Sequence, residues 1–139
     1  MAPAVFVGLD MGASRTKVAV IDGRGALLGH AVKKSGVDFA ATAALCLDAA
    51  LEPAGANRGD IAAAVATGYG RNNVGFVTSQ SKTEIGCHAK GCHHSFAGPL
   101  TIIDIGGQDN KIIKLNAQGQ RDSFKMNRKC AAGTGAFLE

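Results

Sequence analysis

The sequence predicts an α/β protein: one β-β-β-α-β-α lobe, followed by the first strands of a second, truncated lobe. Short apolar runs that end in glycine-containing turns indicate strands, and two longer segments with capping signals indicate helices. One turn pattern, Asp-x-Gly-x-x-x-x-Lys, also occurs twice, in residues 9–17 (LDMGASRTK) and 103–111 (IDIGGQDNK). A pattern that returns after 94 residues, within the same predicted strand layout, indicates internal duplication.

Composition favours a globular protein over a nucleic-acid or membrane protein. Apolar residues make up 46% of the 139 residues and charged residues 19%, and the net charge of +4 is scattered along the chain. One Tyr and no Trp argue against a base-stacking platform. The sequence shows neither a signal-type leader nor an apolar run long enough to span a bilayer. We therefore expect a cytoplasmic protein whose four cysteines are reduced thiols or metal ligands.

The first lobe is predicted from apolar runs and the turns between them. Its strands are residues 5–9, 17–21, 26–32 and 61–66. Residues 22–25 (DGRG) are a hairpin turn, and residues 67–71 (TGYGR) are a loop at the end of the fourth strand. The predicted helices are residues 37–51 and 84–96, the second with Thr83 as its N-cap and Pro99 beyond its end.

The second lobe begins with the same layout. Its strands are residues 100–103, 111–115 and 123–126, and its turns are residues 104–110 and 116–119. The duplication aligns Asp10 with Asp104, Gly12 with Gly106, Lys17 with Lys111 and Gly25 with Gly119. Residues 133–139 resemble the start of a helix without a stop signal. We therefore predict a first lobe over residues 1–97 and the start of a second over 98–139, in a fragment of a longer protein.

The chemistry of the doubled turn favours phosphate. Glycines such as Gly12, Gly106 and Gly107 allow backbone N–H groups to approach an anion. Ser14 and Thr16 can add hydroxyl donors, and Lys17 can add positive charge. Asp10 and Asp104, at strand ends beside bound phosphates, are suited to Mg²⁺. The alternative is a pair of plain hairpins rich in turn-forming residues; the sequence contains neither a P-loop nor a Rossmann glycine motif.

Two Asp-x-Gly turns that each open a β-β-β-α unit resemble the ribonuclease H-like nucleotide-binding core of actin, Hsp70 and sugar kinases. Four further motifs occur in order, and together they resemble the ATPases that activate 2-hydroxyacyl-CoA dehydratases and the ATPase subunits of benzoyl-CoA reductase. These motifs are residues 66–71 (ATGYGR), 84–91 (EIGCHAKG), 103–109 (IDIGGQD) and 129–138 (KCAAGTGAFL). One departure is Arg128, where some dehydratase activators carry Asp; it is closer to the benzoyl-CoA reductase branch.

The resemblance implies an ATP-driven, low-potential electron donor. Family members are homodimers that hold one [4Fe–4S] cluster on the twofold axis. The implied partner of this chain is therefore a second copy of itself or a homologous ATPase subunit. Cys130 matches the first cluster cysteine, and the second is expected beyond Glu139. The implied partners are a CoA-thioester reductase or dehydratase component and a low-potential donor such as ferredoxin. For hydrolysis, Gln108 is suited to orient the attacking water and Asp104 to position the metal or the water.

The cysteines allow competing interpretations. Cys130 precedes a glycine-rich predicted helix start, where free N–H groups favour a thiolate and an anionic cluster; a buried, inert thiol is the alternative. A second hypothesis is a zinc site on the predicted helix, with ligands from Cys87, His88, Cys92, His93 and His94. Cys46 lies in an alanine-rich helix and is expected in the core.

The sequence therefore predicts an ATP-hydrolysing iron–sulfur electron donor for a CoA-thioester reductase or dehydratase. One rival is a sugar- or acetate-type kinase of the same fold, which would have no need of the Cys130 thiol. The other is an inactive nucleotide-binding fragment or scaffold.

Overall fold

The computed structural model describes residues 3–106 and 109–127. The elements, in chain order, are β1 (Val5–Met11), β2 (Arg15–Ile21), β3 (Leu27–Lys34), α1 (Phe39–Leu51), β4 (Ile61–Thr67), α2 (Glu84–Ser95), β5 (Leu100–Ile105), β6 (Asn110–Leu115) and β7 (Arg121–Asn127). Two short 3-10 helices, Arg58–Asp60 and Arg71–Asn73, flank β4. This order confirms the predicted succession of elements, β-β-β-α-β-α followed by three further strands.

The element ends differ from the predicted ones by at most two residues. Residues 37–38 precede α1 because the Asp38 carboxylate accepts the Ala41 N–H and caps the helix. The predicted second turn over residues 104–110 was too long, because Asp104 and Ile105 end β5 and Asn110 begins β6. Thr83 caps α2 as predicted, with its hydroxyl accepting the Gly86 N–H.

The chain divides into two compact units, one up to Lys82 and one from Thr83 onward. Helix α2, which the predicted boundary at residues 97 and 98 groups with the first lobe, packs on the strands of the second unit. In the described ranges 3–106 and 109–127, no helix is long and apolar enough to cross a membrane.

The first unit is a four-stranded sheet in the order β3-β2-β1-β4, with β1 and β4 parallel and the other pairs antiparallel. Alternate residues of β1 (Val5, Val7, Leu9 and Met11) are buried on one face, where Leu47 and Cys46 of α1 pack against them. Asp10 therefore lies on the face opposite to α1.

The second unit is a three-stranded antiparallel sheet in the order β5-β6-β7. Its core joins Ile85 and Ala89 of α2 to Ile113 and Leu115 of β6. Lys111, Ile113 and Leu115 are two residues apart along β6, so their side chains share one face of the sheet, and all three are buried. The Asp–Lys pair of the second unit therefore lies on the face that α2 covers.

Both β-hairpins that follow the Asp–Gly turns have the same internal hydrogen bonds. Asp22 Oδ1 accepts the N–H groups of Arg24 and Ala26 at 2.8 and 2.9 Å. At the equivalent position, Asn116 Oδ1 accepts those of Gln118 and Gln120 at 3.0 and 2.9 Å. Gly25 and Gly119 adopt φ values of 85° and 76° in these turns. Duplication thus extends from sequence to hydrogen-bond geometry.

Candidate functional site

The first Asp–Gly turn presents an ion pair at the end of β1. Asp10 and Lys17 are direct partners in the β1–β2 register, and Lys17 Nζ lies 3.1 Å from Asp10 Oδ2. The Lys17 side chain is 50% exposed, so the pair contributes little to stability. Lys17 therefore keeps an accessible ammonium group that can reach a ligand at this turn.

Glycine is required at the same place in both turns. A Cβ at Gly12 would lie 2.7 Å from the Arg15 carbonyl oxygen, and a Cβ at Gly106 would lie 3.0 Å from the equivalent Asp109 oxygen. In the second turn, Gly106 N–H donates to that oxygen at 2.8 Å. The two turns thus share a tight backbone path that side chains would obstruct.

Thr16 supports the first turn from inside the unit. Its side chain is fully buried, and its hydroxyl lies 3.0 Å from the Ser35 hydroxyl. Because Ser35 donates its only hydroxyl proton to the Gly12 carbonyl at 2.6 Å, Thr16 is the donor to Ser35. This placement corrects the expectation that Thr16 offers its hydroxyl to phosphate. Ser14 is exposed at the turn, and its carbonyl accepts the Ser35 N–H.

A glycine loop after β4 closes over Asp10. Gly68 has φ +90°, and a Cβ there would lie 2.8 Å from Asp10 Oδ1 and from the Met11 carbonyl. The Gly70 N–H donates to the Met11 carbonyl at 2.8 Å. Sequence reasoning assigned this loop no specific role, although Thr-Gly-Tyr-Gly at a strand end was a signal for close backbone approach.

The environment of Asp10 Oδ1 indicates whether the first Asp–Gly turn can bind a cation. This oxygen is buried and has no hydrogen-bond partner in the described parts of the chain. A buried carboxylate oxygen without a donor is unfavourable unless a cation or water satisfies it. Hard oxygen donors of this kind suit Mg²⁺, so the residues present fit the ion that the sequence predicts.

The second Asp–Gly turn differs in its electrostatics. Lys111 is 2% exposed, and its Nζ lies 2.6 Å from Asp109 Oδ1, 3.3 Å from Asp104 Oδ2 and 3.9 Å from Glu84 Oε2. Burial alone would lower the pKa of Lys111, but the Asp109 hydrogen bond and the charges of Glu84, Asp109 and Asp104 raise it above 10.5. Lys111 is therefore a charged residue held by carboxylates, and it is not the accessible counterpart of Lys17.

His88 joins this cluster from α2. Its Nε2 atom lies 3.3 Å from Asp104 Oδ2, the same oxygen that Lys111 approaches. Sequence reasoning noticed His88 only as a candidate zinc ligand. The contact joins residues from a helix and a strand, so their spacing in the sequence gives no direct signal of it.

The cysteines have different environments. Cys46 is buried in the core as predicted, and burial raises the pKa of its thiol. Cys87 and Cys92 are free thiols on α2. Over residues 3–106 and 109–127, no group of three or more His, Cys, Asp or Glu residues could hold a metal ion, so the zinc hypothesis gains no support. Gly107, Gln108, Cys130 and the predicted helix start over residues 133–139 lie outside the described residues.

Comparison with known proteins gives concordant matches. The sequence model of the BadF/BadG/BcrA/BcrD ATPase family matches residues 7–139. The activator of lactoyl-CoA dehydratase from Anaerotignum propionicum is 43% identical over 138 residues, which is 96% of this chain and 51% of that protein. The chain thus spans about half the length of the curated relatives it matches.

Two solved structures are similar in fold and sequence. The crystal structure of (R)-2-hydroxyglutaryl-CoA dehydratase component A from Acidaminococcus fermentans matches with a TM-score of 0.88 and 34% identity, over 97% of this chain and 51% of that one. The activator of 2-hydroxyisocaproyl-CoA dehydratase from Clostridium difficile, with bound ADPNP, matches with a TM-score of 0.82 and 35% identity, over 96% and 49%.

Proposed function

Since the chain belongs to the BadF/BadG/BcrA/BcrD ATPase family, we propose that the whole protein is an ATP-hydrolysing electron donor that activates a 2-hydroxyacyl-CoA dehydratase. The observation that carries this proposal is the doubled Asp–Gly turn, in a chain that matches a lactoyl-CoA dehydratase activator over 96% of its length. The ADPNP bound to a related activator supports ATP as the ligand. Benzoyl-CoA reductase is the alternative partner, indicated by Arg128.

Each of the two turns offers groups suited to the phosphates of ATP. Lys17 supplies the accessible charge, and Ser14 supplies an exposed hydroxyl. Gly12, Gly106 and Gly107 allow backbone N–H groups to approach the phosphate oxygens. Thr16 contributes indirectly, because its hydrogen bond to Ser35 fixes the carbonyl of Gly12.

Asp10 and Asp104 hold Mg²⁺, directly or through water. The proposal is supported at Asp10 by the buried oxygen Oδ1, which lacks a protein donor in the part of the chain described. When bound, the ion neutralises charge on the transferred phosphoryl group. Asp104 also positions the attacking water, together with Gln108. Asp104 lies at the end of β5, where the buried Lys111 donates hydrogen bonds to its carboxylate and to that of Asp109.

In this proposal, electron transfer would depend on a [4Fe–4S] cluster for which Cys130 would supply one of the ligands. The cluster supplies one-electron chemistry at low potential when bound. A second copy of the protein, or a homologous ATPase subunit, supplies matching cysteines, and a donor such as ferredoxin supplies the electron. The free thiols Cys87 and Cys92 agree with a reducing compartment, the cytoplasm.

The proposal is tested by purifying the full-length protein without oxygen and recording its absorbance and EPR spectra with and without MgATP. We expect a brown protein with a cluster signal that changes when MgATP binds. Cys130→Ser should remove the cluster while leaving nucleotide binding intact, and Cys92→Ser, at a partly exposed thiol of α2, is the matched control. A colourless protein with sugar- or acetate-dependent ATP consumption would instead establish the kinase.

A further inference from the structure

Helix α2 places two ionisable side chains over the second Asp–Gly turn. Glu84 and His88 are four residues apart, so they share one face of the helix. The helix is held in place by its Thr83 cap and by Ile85 and Ala89, which pack against Ile113. The positions of the Glu84 and His88 side chains over β5 and β6 therefore follow from the packing of a capped helix.

Asp104 Oδ2 is approached from two directions. His88 Nε2 and Lys111 Nζ each lie 3.3 Å from this one oxygen. The Asp104 side chain is 26% exposed and that of His88 is 34% exposed, so water competes only partly for the contact. Lys111 donates a hydrogen bond to this oxygen, and the additional contact with the His88 nitrogen restricts rotation of the carboxylate further.

Lys111 is shared among several carboxylates, and its ammonium group donates hydrogen bonds to both Asp109 and Asp104. Its shortest contact, 2.6 Å, is to Asp109, and Glu84 lies 3.9 Å away. Three carboxylates thus surround one ammonium group, and the contact to Asp104 is longer than that to Asp109. Because the Lys111 hydrogen bond to Asp104 is the longer of the two, the contact with His88 Nε2 adds to the restraint on the Asp104 carboxylate.

We propose that His88 is a positioning residue that holds the Asp104 carboxylate in the orientation needed for Mg²⁺ and nucleotide. This inference rests on the proposed function. It assigns His88 a role that differs from that of a zinc ligand. The first unit uses a different device, because Asp10 is packed against Gly68 and contacts Lys17.

The test uses the full-length protein with three variants and the fluorescent analogue MANT-ATP, titrated at a series of Mg²⁺ concentrations. His88→Ala removes the donor, whereas His88→Gln keeps an N–H group at a similar reach. His94→Ala is the matched control, because His94 is an exposed histidine of the same helix. Thermal unfolding of each variant reports folding independently of nucleotide.

We expect His88→Ala to raise the Mg²⁺ concentration for half-maximal MANT-ATP binding about 10-fold, the usual effect of losing a group that orients a metal ligand. His88→Gln should recover most of this loss, and His94→Ala should match the unchanged protein. Equal Mg²⁺ dependence in His88→Ala and the unchanged protein would overturn the inference. So would a His88→Gln variant as impaired as His88→Ala, which would indicate a packing role. If the unchanged protein fails to bind MANT-ATP, the proposed function itself is wrong and the inference falls with it.

Discussion

Gly68 lies so close to Asp10 and Met11 that any side chain at this position would displace one of them. Its φ of +90° is in the region that side chains disfavour, and its missing Cβ leaves room for Asp10 Oδ1. We predict that Gly68→Ala destabilises the protein by about 1 to 3 kcal/mol through backbone strain. The same change should weaken MgATP binding, because Asp10 must move.

Chemical unfolding and calorimetric MgATP titration check this prediction. Gly75→Ala is the matched control, since a Cβ at Gly75 would meet nothing within 4 Å. If Gly68→Ala bound MgATP as tightly as Gly75→Ala, the glycine loop would have no part in shaping the Asp10 site.

Lys17 and Lys111 align in the sequence repeat but should respond differently to the same substitution. Lys111 is 2% exposed among three partly exposed carboxylates, so Lys111→Met should cost about 1 to 3 kcal/mol, because Asp104 and Asp109 lose a charged hydrogen-bond donor. Lys17 is 50% exposed, so Lys17→Met should cost about 0 to 1 kcal/mol while strongly weakening MgATP binding. Urea unfolding of both variants measures the loss of stability, and MgATP titration measures the loss of binding. Equal losses of stability in Lys17→Met and Lys111→Met would contradict the different environments of the two lysines.

At the residue scale, the sequence singles out Asp10, Lys17 and Asp104 as candidate site residues but does not predict their surroundings. The alternation of β2 indicates that Thr16 and Lys17 face opposite sides of the sheet, so both could not serve one ligand directly. That signal was available and was missed. The contact between His88 and Asp104 was not predictable, because it depends on which face of the second sheet α2 covers.

At the scale of elements, the two hairpin turns show the effect of a charge, because Asp22 in one turn and Asn116 in the other accept equivalent hydrogen bonds. The pKa of Asp22 is lowered from 3.8 because its carboxylate accepts the N–H groups of Ala26 and Arg24. Its stabilising contribution is therefore present above pH 3.8 and is lost as the pH falls through the lower folded value. Asn116, which accepts the same pair of hydrogen bonds without charge, shows that the turn also forms with an amide.

We predict that Asp22→Asn lowers stability slightly at neutral pH and that the difference from the unchanged protein vanishes in acid. Asn116→Asp should show the converse, a gain at neutral pH that is lost below the carboxyl pKa. Thermal unfolding over a pH series measures both. A pH-independent difference in either variant would contradict the charge-assisted account of the hairpins.

Hairpins were the most predictable elements, because Asp22 to Gly25 and Asn116 to Gly119 carry their turn chemistry locally. The ends of β5 and β6 were less predictable. Asp104 and Asn110 are turn-forming residues by type, yet both pair within the ladder as members of strands. Pairing with a neighbouring strand overrides local turn preference there.

At the scale of the whole molecule, the second unit is a modified copy of the start of the first. In the first unit α1 packs on the face opposite to Asp10, whereas in the second unit α2 covers the face that carries Lys111. This difference in helix placement accounts for one accessible lysine and one buried lysine. Sequence repetition predicted the shared turns, but only tertiary packing could reveal their different environments.

The central claim, that ATP hydrolysis drives an electron to a dehydratase, is tested most directly by reconstitution. Full-length protein, a chemical reductant and a 2-hydroxyacyl-CoA dehydratase component would be mixed without oxygen, and dehydration would be followed with ATP or with ADPNP. We predict that ATP activates the dehydratase, and that ADPNP or the Cys130→Ser variant does not. Activation without ATP, or ATP consumption that requires a sugar or acetate and never activates the dehydratase, would contradict the account.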